Sequence, residues 1–311
     1  MKKILFTTAA FALLSIAFIS CKKKTVDVVA TDDAAALADF FERNVVPSQN
    51  FTIDNAVGGS VTTNKASKIT FPPNCFTKNG VTVTGNVNVE FKELVDKVDF
   101  VLSNKGTASN DLPLETGGTW MIKPWQGTEL LAIKAATPVR MNIKRDSLVQ
   151  GEMLLFNANP AGNKNGGAIN WGAPRNLPII PLSTPFNNFF CNLDSVGWGN
   201  ADRFLSAPVY AANTKVVSSN GTDLTKLSCM YVYKGRKIVW PMPGRAATSV
   251  TDSHIAKNQV GHVVVFGFVK GVFTTGVLQD QTVTTDNQTF TVTLNTNTEA
   301  AFKTQLSSIL L

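Results

Sequence analysis

Four cysteines, two histidines and five tryptophans in 311 residues are the side chains with the clearest capacity for chemistry. Cys21, Cys75, Cys191 and Cys229 are widely separated, whereas zinc sites draw on close pairs such as CxxC. A Ser-His-Asp triad would need His254 or His262, and no GxSxG elbow, HExxH or P-loop accompanies them. Asp252 and His254, two residues apart, could form a metal or base pair, but the further ligands are missing and a surface histidine in a turn is the simpler reading. Carboxylates are sparse and unpaired in the sequence, so no catalytic residue, metal or cofactor is expected.

Aromatic residues offer a different chemistry. Trp120, Trp125 and Trp240 read as core, as most tryptophans of a β-protein do. Trp171 and Trp198 lie between glycines and polar residues and are the candidates for stacking on a sugar ring. Asp202 and Arg203 are adjacent, so on a strand they face opposite ways and each is expected in a structural ion pair.

The N-terminus reads MKKILFTTAAFALLSIAFIS, two lysines and an apolar run too short to span a membrane, followed directly by Cys21. With Ser20 before Cys21, and Phe18 and Ile19 as looser matches, this resembles a bacterial lipoprotein signal. The resemblance implies export, cleavage of residues 1–20, lipidation of Cys21 and anchoring to the cell envelope, with the outer membrane as the expected address. Lys22, Lys23 and Lys24 would then meet anionic headgroups. With Cys21 lipidated, three cysteines remain for at most one disulfide, and Cys191–Cys229 is the expected pair because both fall in the later region. Lys2, Lys3 and Lys22–Lys24 account for five of the net +7 charges, leaving +2 for residues 25–311. That near-neutral body speaks against a nucleic-acid partner.

The elements that must position these residues are mostly strands. The fold class expected is mainly β, two β-sandwich-like domains with a short N-terminal and a C-terminal helix. In Val81–Phe91, VTVTGNVNVEF, apolar and polar residues alternate as on a half-buried strand, with Gly85 marking a bulge or close approach. Asn79-Gly80 before it is a hairpin signal. A helix is expected over Thr31–Val45, capped by Thr31 and stopped by Pro47, and another after Thr296 with Thr296 and Glu299 as a capping box. The organisation expected is a signal at 1–20, a tether and helix at 21–47, a β-sandwich at 48–156, an Asn/Gly/Pro-rich linker at 157–188 and a β-rich domain at 189–311.

Two further resemblances bear on role. Pro72-Pro73-Asn74-Cys75-Phe76, Asn79-Gly80, the following strand and Glu115-Thr116-Gly117-Gly118 resemble ZU5-like β-sandwich domains, which implies an interaction or scaffold module. Gly197-Trp198-Gly199-Asn200 with Asp202-Arg203-Phe204 resembles a pattern of β-rich bacterial lipoproteins. The function expected is a non-catalytic, envelope-anchored interaction module with the membrane and a protein partner or glycan as partners; the alternative is a surface lipoprotein binding carbohydrate through exposed tryptophans.

Overall fold

The structure is a computed structural model that describes residues 32–144, 149, 152–158, 171–182, 188–206 and 208–310. It is mainly β, with three helices among the described residues: α1 (Asp33–Asn44), α2 (Lys97–Leu102) and α3 (Glu299–Ile309).

The first unit is one long antiparallel ribbon folded over on itself. Its strands follow the spatial order Gln49–Asp54, Asn86–Leu94, Leu112–Gln126, Gly197–Phe204, Met153–Asn157, Arg175–Leu182, Asn188–Leu193, Val139–Lys144, Lys68–Phe71 and Gly59–Thr62. The fold line is Arg175–Leu182: its start pairs with Met153–Leu155 and its end with Asn188–Phe190. The two halves face each other across one core, Val87, Phe91, Trp120 and Leu155 from one and Ile69, Met141, Phe189 and Cys191 from the other. This is sandwich packing, in which alternate residues of each strand meet in the middle.

The strand after the Asn79-Gly80 turn is shorter than its alternation suggests. Both turn residues have positive φ, 50° and 83°, and join Phe76–Lys78 to Val81–Thr82. The chain then breaks at Gly85, and the long strand starts at Asn86. The Asn55 side chain seals the break by donating to the Val83 carbonyl at 2.7 Å, and its backbone N–H donates to Gly85 at 3.0 Å. Val87, Val89 and Phe91 are buried as their parity requires, while Val81 is 72% exposed.

The expected linker and domain boundary differ from what the sheet shows. Arg175–Leu182 is a strand, and Asn188–Phe204 belongs to the first unit through its pairing with Val139–Lys144 and Leu112–Gln126. Pro178 and Pro181 disguise this strand, because proline donates no ladder hydrogen bond.

The second unit is layered. A sheet ordered Val239–Pro241, Ser228–Tyr233, Val260–Val269, Val272–Thr282, Asn295–Thr296 packs against one ordered Gly244–Arg245, Ser249–Asp252, Thr214–Ser218, Thr289–Val292. Ser228–Tyr233 is buried on both faces. Cys229, Tyr231 and Tyr233 point to the core between the sheets, and Met230 and Val232 point to a second core under the helices.

All three helices lie on that outer face. Phe40 of α1 packs against Phe266 and Phe273, and Phe302 of α3 against the same two rings. Phe100 and Val101 of α2 join the same core, which ties the two units together. The helix caps are not the expected residues. Asp32 caps α1, accepting the Ala34 N–H at 3.0 Å, and Thr298 caps α3, accepting the Ala301 N–H at 3.1 Å. Thr31 lies outside the described residues, and Thr296 is occupied in a strand pair with Thr274.

Candidate functional site

The two tryptophans expected to be platforms are packing residues. Trp171 is fully buried beside Leu114 and Phe156, and its indole N–H donates to the Gly106 carbonyl at 3.1 Å. It has no face to offer a sugar, so the expectation for Trp171 is corrected; a large apolar ring in a polar stretch was pulled onto the nearest core. Trp198 is half-buried, touches both that cluster and the core under the helices, and carries the Lys105 ammonium 5.6 Å from its ring centroid. Burial lowers the pKa of Lys105. Gly199 is needed beside Trp198 for another reason: a Cβ there would come within 2.7 Å of the Trp120 indole nitrogen.

Cys75, Cys191 and Cys229 are free and buried. Cys191 lies in the first unit's core and Cys229 between the sheets of the second, so the expected Cys191–Cys229 disulfide is not formed. Burial pushes the Cys75 thiol up to about 11 and those of Cys191 and Cys229 up to about 12. Cys21 lies outside the described residues.

Asp202 and Arg203 find separate partners. Arg203 forms an ion pair with the buried Glu115, which Arg236 of the second unit also approaches at 3.6 Å. Asp202 is fully buried and accepts from the Asn200 amide, and the Asn200 carbonyl accepts from Thr116 at 2.9 Å. These groups sit where strands Leu112–Gln126 and Gly197–Phe204 pair, and they hydrogen-bond one another there, with Asp202 Oδ1 left without a partner.

A second buried polar cluster lies in the other unit. In the second unit Thr214 stands directly opposite Asp252, and Arg245 directly opposite Val250. Opposed residues of an antiparallel pair, and residues two apart on one strand, share a face. Thr214, Arg245 and Asp252 therefore lie on the face whose Val216 and Val250 fill the inter-sheet core. Cys229 and Trp240 come to the same core from the other sheet.

Asp252 is buried, and one carboxylate oxygen accepts the His254 backbone N–H at 2.6 Å. That bond closes the turn after the strand. It also means that Asp252 binds the backbone of His254 rather than its imidazole, so the pair does not have the geometry of a base and its orienting carboxylate. The half-buried His254 ring stands edge-on between Tyr210 and Trp240, 5.9 Å from each. The Trp240 indole is a hydrogen-bond partner of Asp252, while Arg245 Nε and Thr214 Oγ1 are buried and form no aligned hydrogen bond.

Desolvation dominates the electrostatics here. It raises the pKa of Asp252, against hydrogen bonds from the His254 N–H and the Trp240 indole and against the His254 charge, which lower it. It lowers the pKa of Arg245. Arg245 and Asp252 act on the Cys229 thiol with opposite signs, Arg245 lowering its pKa and Asp252 raising it, both behind the desolvation that dominates.

Sequence reasoning singled out Asp252 and His254 but missed Thr214, Trp240 and Arg245. The available signal was the parity of Val250 and Asp252, which puts a carboxylate on a core face. Among the described residues no group of three or more His, Cys, Asp or Glu side chains is placed to hold a metal ion. No helix among them is long and apolar enough to cross a membrane. No protein-family model matches the chain, and no curated protein matches it.

Proposed function

We propose that this chain is a non-enzymatic lipoprotein, anchored to the cell envelope through lipid on Cys21, that holds a β-rich body at the membrane as an interaction module. The observation that carries the reading is how α1 is fastened. The Asp33 carboxylate accepts the backbone N–H groups of Lys270 and Gly271 at 3.0 and 2.8 Å. Phe40 is fully buried against Phe266 and Phe273. Only residues 22–32 separate Cys21 from this point, a reach of at most ~35–40 Å. A tether that short, ending in a clamped helix, would hold the body close to its anchor. More than one acyl chain would make such an anchor stable.

The non-enzymatic part is supported by the site geometry, since the Asp252 carboxylate is engaged by a backbone N–H and the Asp202 carboxylate by Asn200. The anchoring is tested by metabolic labelling with palmitate and by membrane fractionation of wild type and Cys21→Ser. Label in the wild type alone, with Cys21→Ser released from the membrane fraction, is the expected result. A Cys21→Ser protein that stays wholly with membranes would end the lipid-anchor reading.

A further inference from the structure

We propose that the open outer face of the first unit's sheet, centred on Trp125, is a binding surface for a neutral, extended sugar chain. Trp120, Trp171 and Trp240 are buried in hydrophobic cores, and Trp198 is packed between two cores. Among the described residues Trp125 is the tryptophan that joins no core, and it keeps part of its ring in solvent. Parity explains why. Along Leu112–Gln126, Trp120 and Ile122 point into the core between the two halves, so Trp125 stands on the opposite face. A tryptophan that sequence alone reads as core is thus turned outward.

The same register surrounds the ring with hydrogen-bonding groups. Asn88 stands opposite Trp125 on one neighbouring strand, and Thr52 stands opposite Asn88 on the next. Leu130, 47% exposed, stands opposite Trp125 on the other side. Strand spacing makes this row of four about 14 Å long. Asn50 and Asn86 extend the same face, and like Thr52 and Asn88 they are exposed. The Thr52 hydroxyl donates to Asn88 Oδ1 at 3.1 Å, which holds the amide and leaves its N–H donors for a guest. Further along, the face is covered, where Trp198 stands opposite Met121 and meets the core under the helices.

The chemistry narrows the guest. A flat indole takes the C–H face of a sugar ring, and the hydroxyls at the ring's edge meet the amides and hydroxyl beside it. Amides donate and accept, as sugar hydroxyls do. The charges nearby are mixed: Glu90 opposes Lys123 in register, and Asp54 is engaged by the Ala56 N–H at 2.9 Å. Such a patch gives an ion of either sign little to gain. Area argues against a protein partner. By strand spacing, the Trp125 row and the Asn50, Glu90, Lys123 row beside it cover roughly 100–200 Å². A stable protein interface needs about 800 Å² a side. The row starts on the edge strand Gln49–Asp54 and runs across to Glu129–Leu130, which suits a chain lying over it better than a single ring held in a pocket.

The test is a titration of the full chain in detergent with cellohexaose, xylohexaose, mannohexaose and chitohexaose, read by tryptophan fluorescence and calorimetry. A saturable response to at least one of them is expected. Trp125→Ala should weaken it by about tenfold or more and Asn88→Ala by about threefold or more, while Trp198→Phe leaves it unchanged. If Trp125→Ala does not fold, as judged by circular dichroism, Asn88→Ala at its exposed position decides alone. No response to any of the four sugars up to about 10 mM would overturn the proposal. So would a response that survives both Trp125→Ala and Asn88→Ala. Self-association of the wild type that Trp125→Ala abolishes, with no response to sugar, would overturn it in favour of a contact between copies of the chain. The assay reads the same with or without lipid on Cys21, so its failure is distinct from failure of the anchoring reading.

Discussion

Asn200 donates its side-chain amide to Asp202, two residues further along the same strand, and both are fully buried. Burial drives the Asp202 pKa well above the usual carboxylate range, against the Asn200 hydrogen bond and the nearby Thr116 hydroxyl and with the charge of Glu115 reinforcing it. Folding thus favours the protonated form of Asp202 relative to the unfolded chain.

The consequence for stability has a definite sign. A carboxyl whose pKa is raised on folding makes the folded state bind its proton more tightly. The contribution is fully present below the unfolded-state value and is lost as pH rises through the folded-state value. Asp202→Asn, which mimics the protonated acid, should stabilise the protein at neutral pH by about 1–3 kcal/mol, with the gain shrinking towards pH 4. Urea melts of both proteins from pH 4 to 8 check this, and an equal effect at every pH would contradict it.

The cysteines make a second test. With Cys21→Ser, three thiols should titrate with Ellman's reagent in guanidinium, and almost none in native buffer, because burial holds the Cys75 thiol at about 11 and the Cys191 and Cys229 thiols at about 12. A single thiol in denaturant would mean that a disulfide forms after all.

Helix α1 separates packing from charge. The Arg43–Glu299 ion pair at 2.8 Å joins the first and last helices, but Arg43 is 56% exposed. Arg43→Ala should cost about 0.5 kcal/mol or less. Phe40→Ala, which empties a place between Phe266 and Phe273, should cost about 3–5 kcal/mol. Chemical denaturation of the two variants side by side measures the ratio.

Trp171 provides a graded pair. Trp171→Ala removes a fully buried ring and should cost about 3–5 kcal/mol. Trp171→Phe retains most of the ring but loses the bond to the Gly106 carbonyl, at about 1 kcal/mol. Equal melting temperatures for wild type and Trp171→Ala would place the ring in solvent instead.

Local pattern carried much of the fold. Val87, Val89 and Phe91 are buried as their alternation requires, and the Asn79-Gly80 turn stands where its φ preferences put it. The stripe Leu37, Phe40 and Phe41 is the buried side of α1. What stayed hidden was non-local. Prolines 178 and 181 mask a strand whose identity comes from its neighbours Met153–Asn157 and Asn188–Leu193. Thr214, Trp240 and Arg245 approach Asp252 only through sheet register and the facing of two sheets. A pattern read along the chain finds Asp252 beside His254 but not the groups brought from elsewhere.

The seat of α1 also orders events in time. Phe40 rests on Phe266, Phe273 and a core completed by Phe302, and Arg43 reaches a carboxylate 256 residues further on. During vectorial synthesis the first helix emerges long before anything exists for it to lie on. Contacts of such sequence separation slow folding, since the intervening chain must be ordered first. The seat of the amphipathic first helix therefore does not exist until Phe266 and Phe273 have been made, and Phe302 of α3 covers the same two rings last of all.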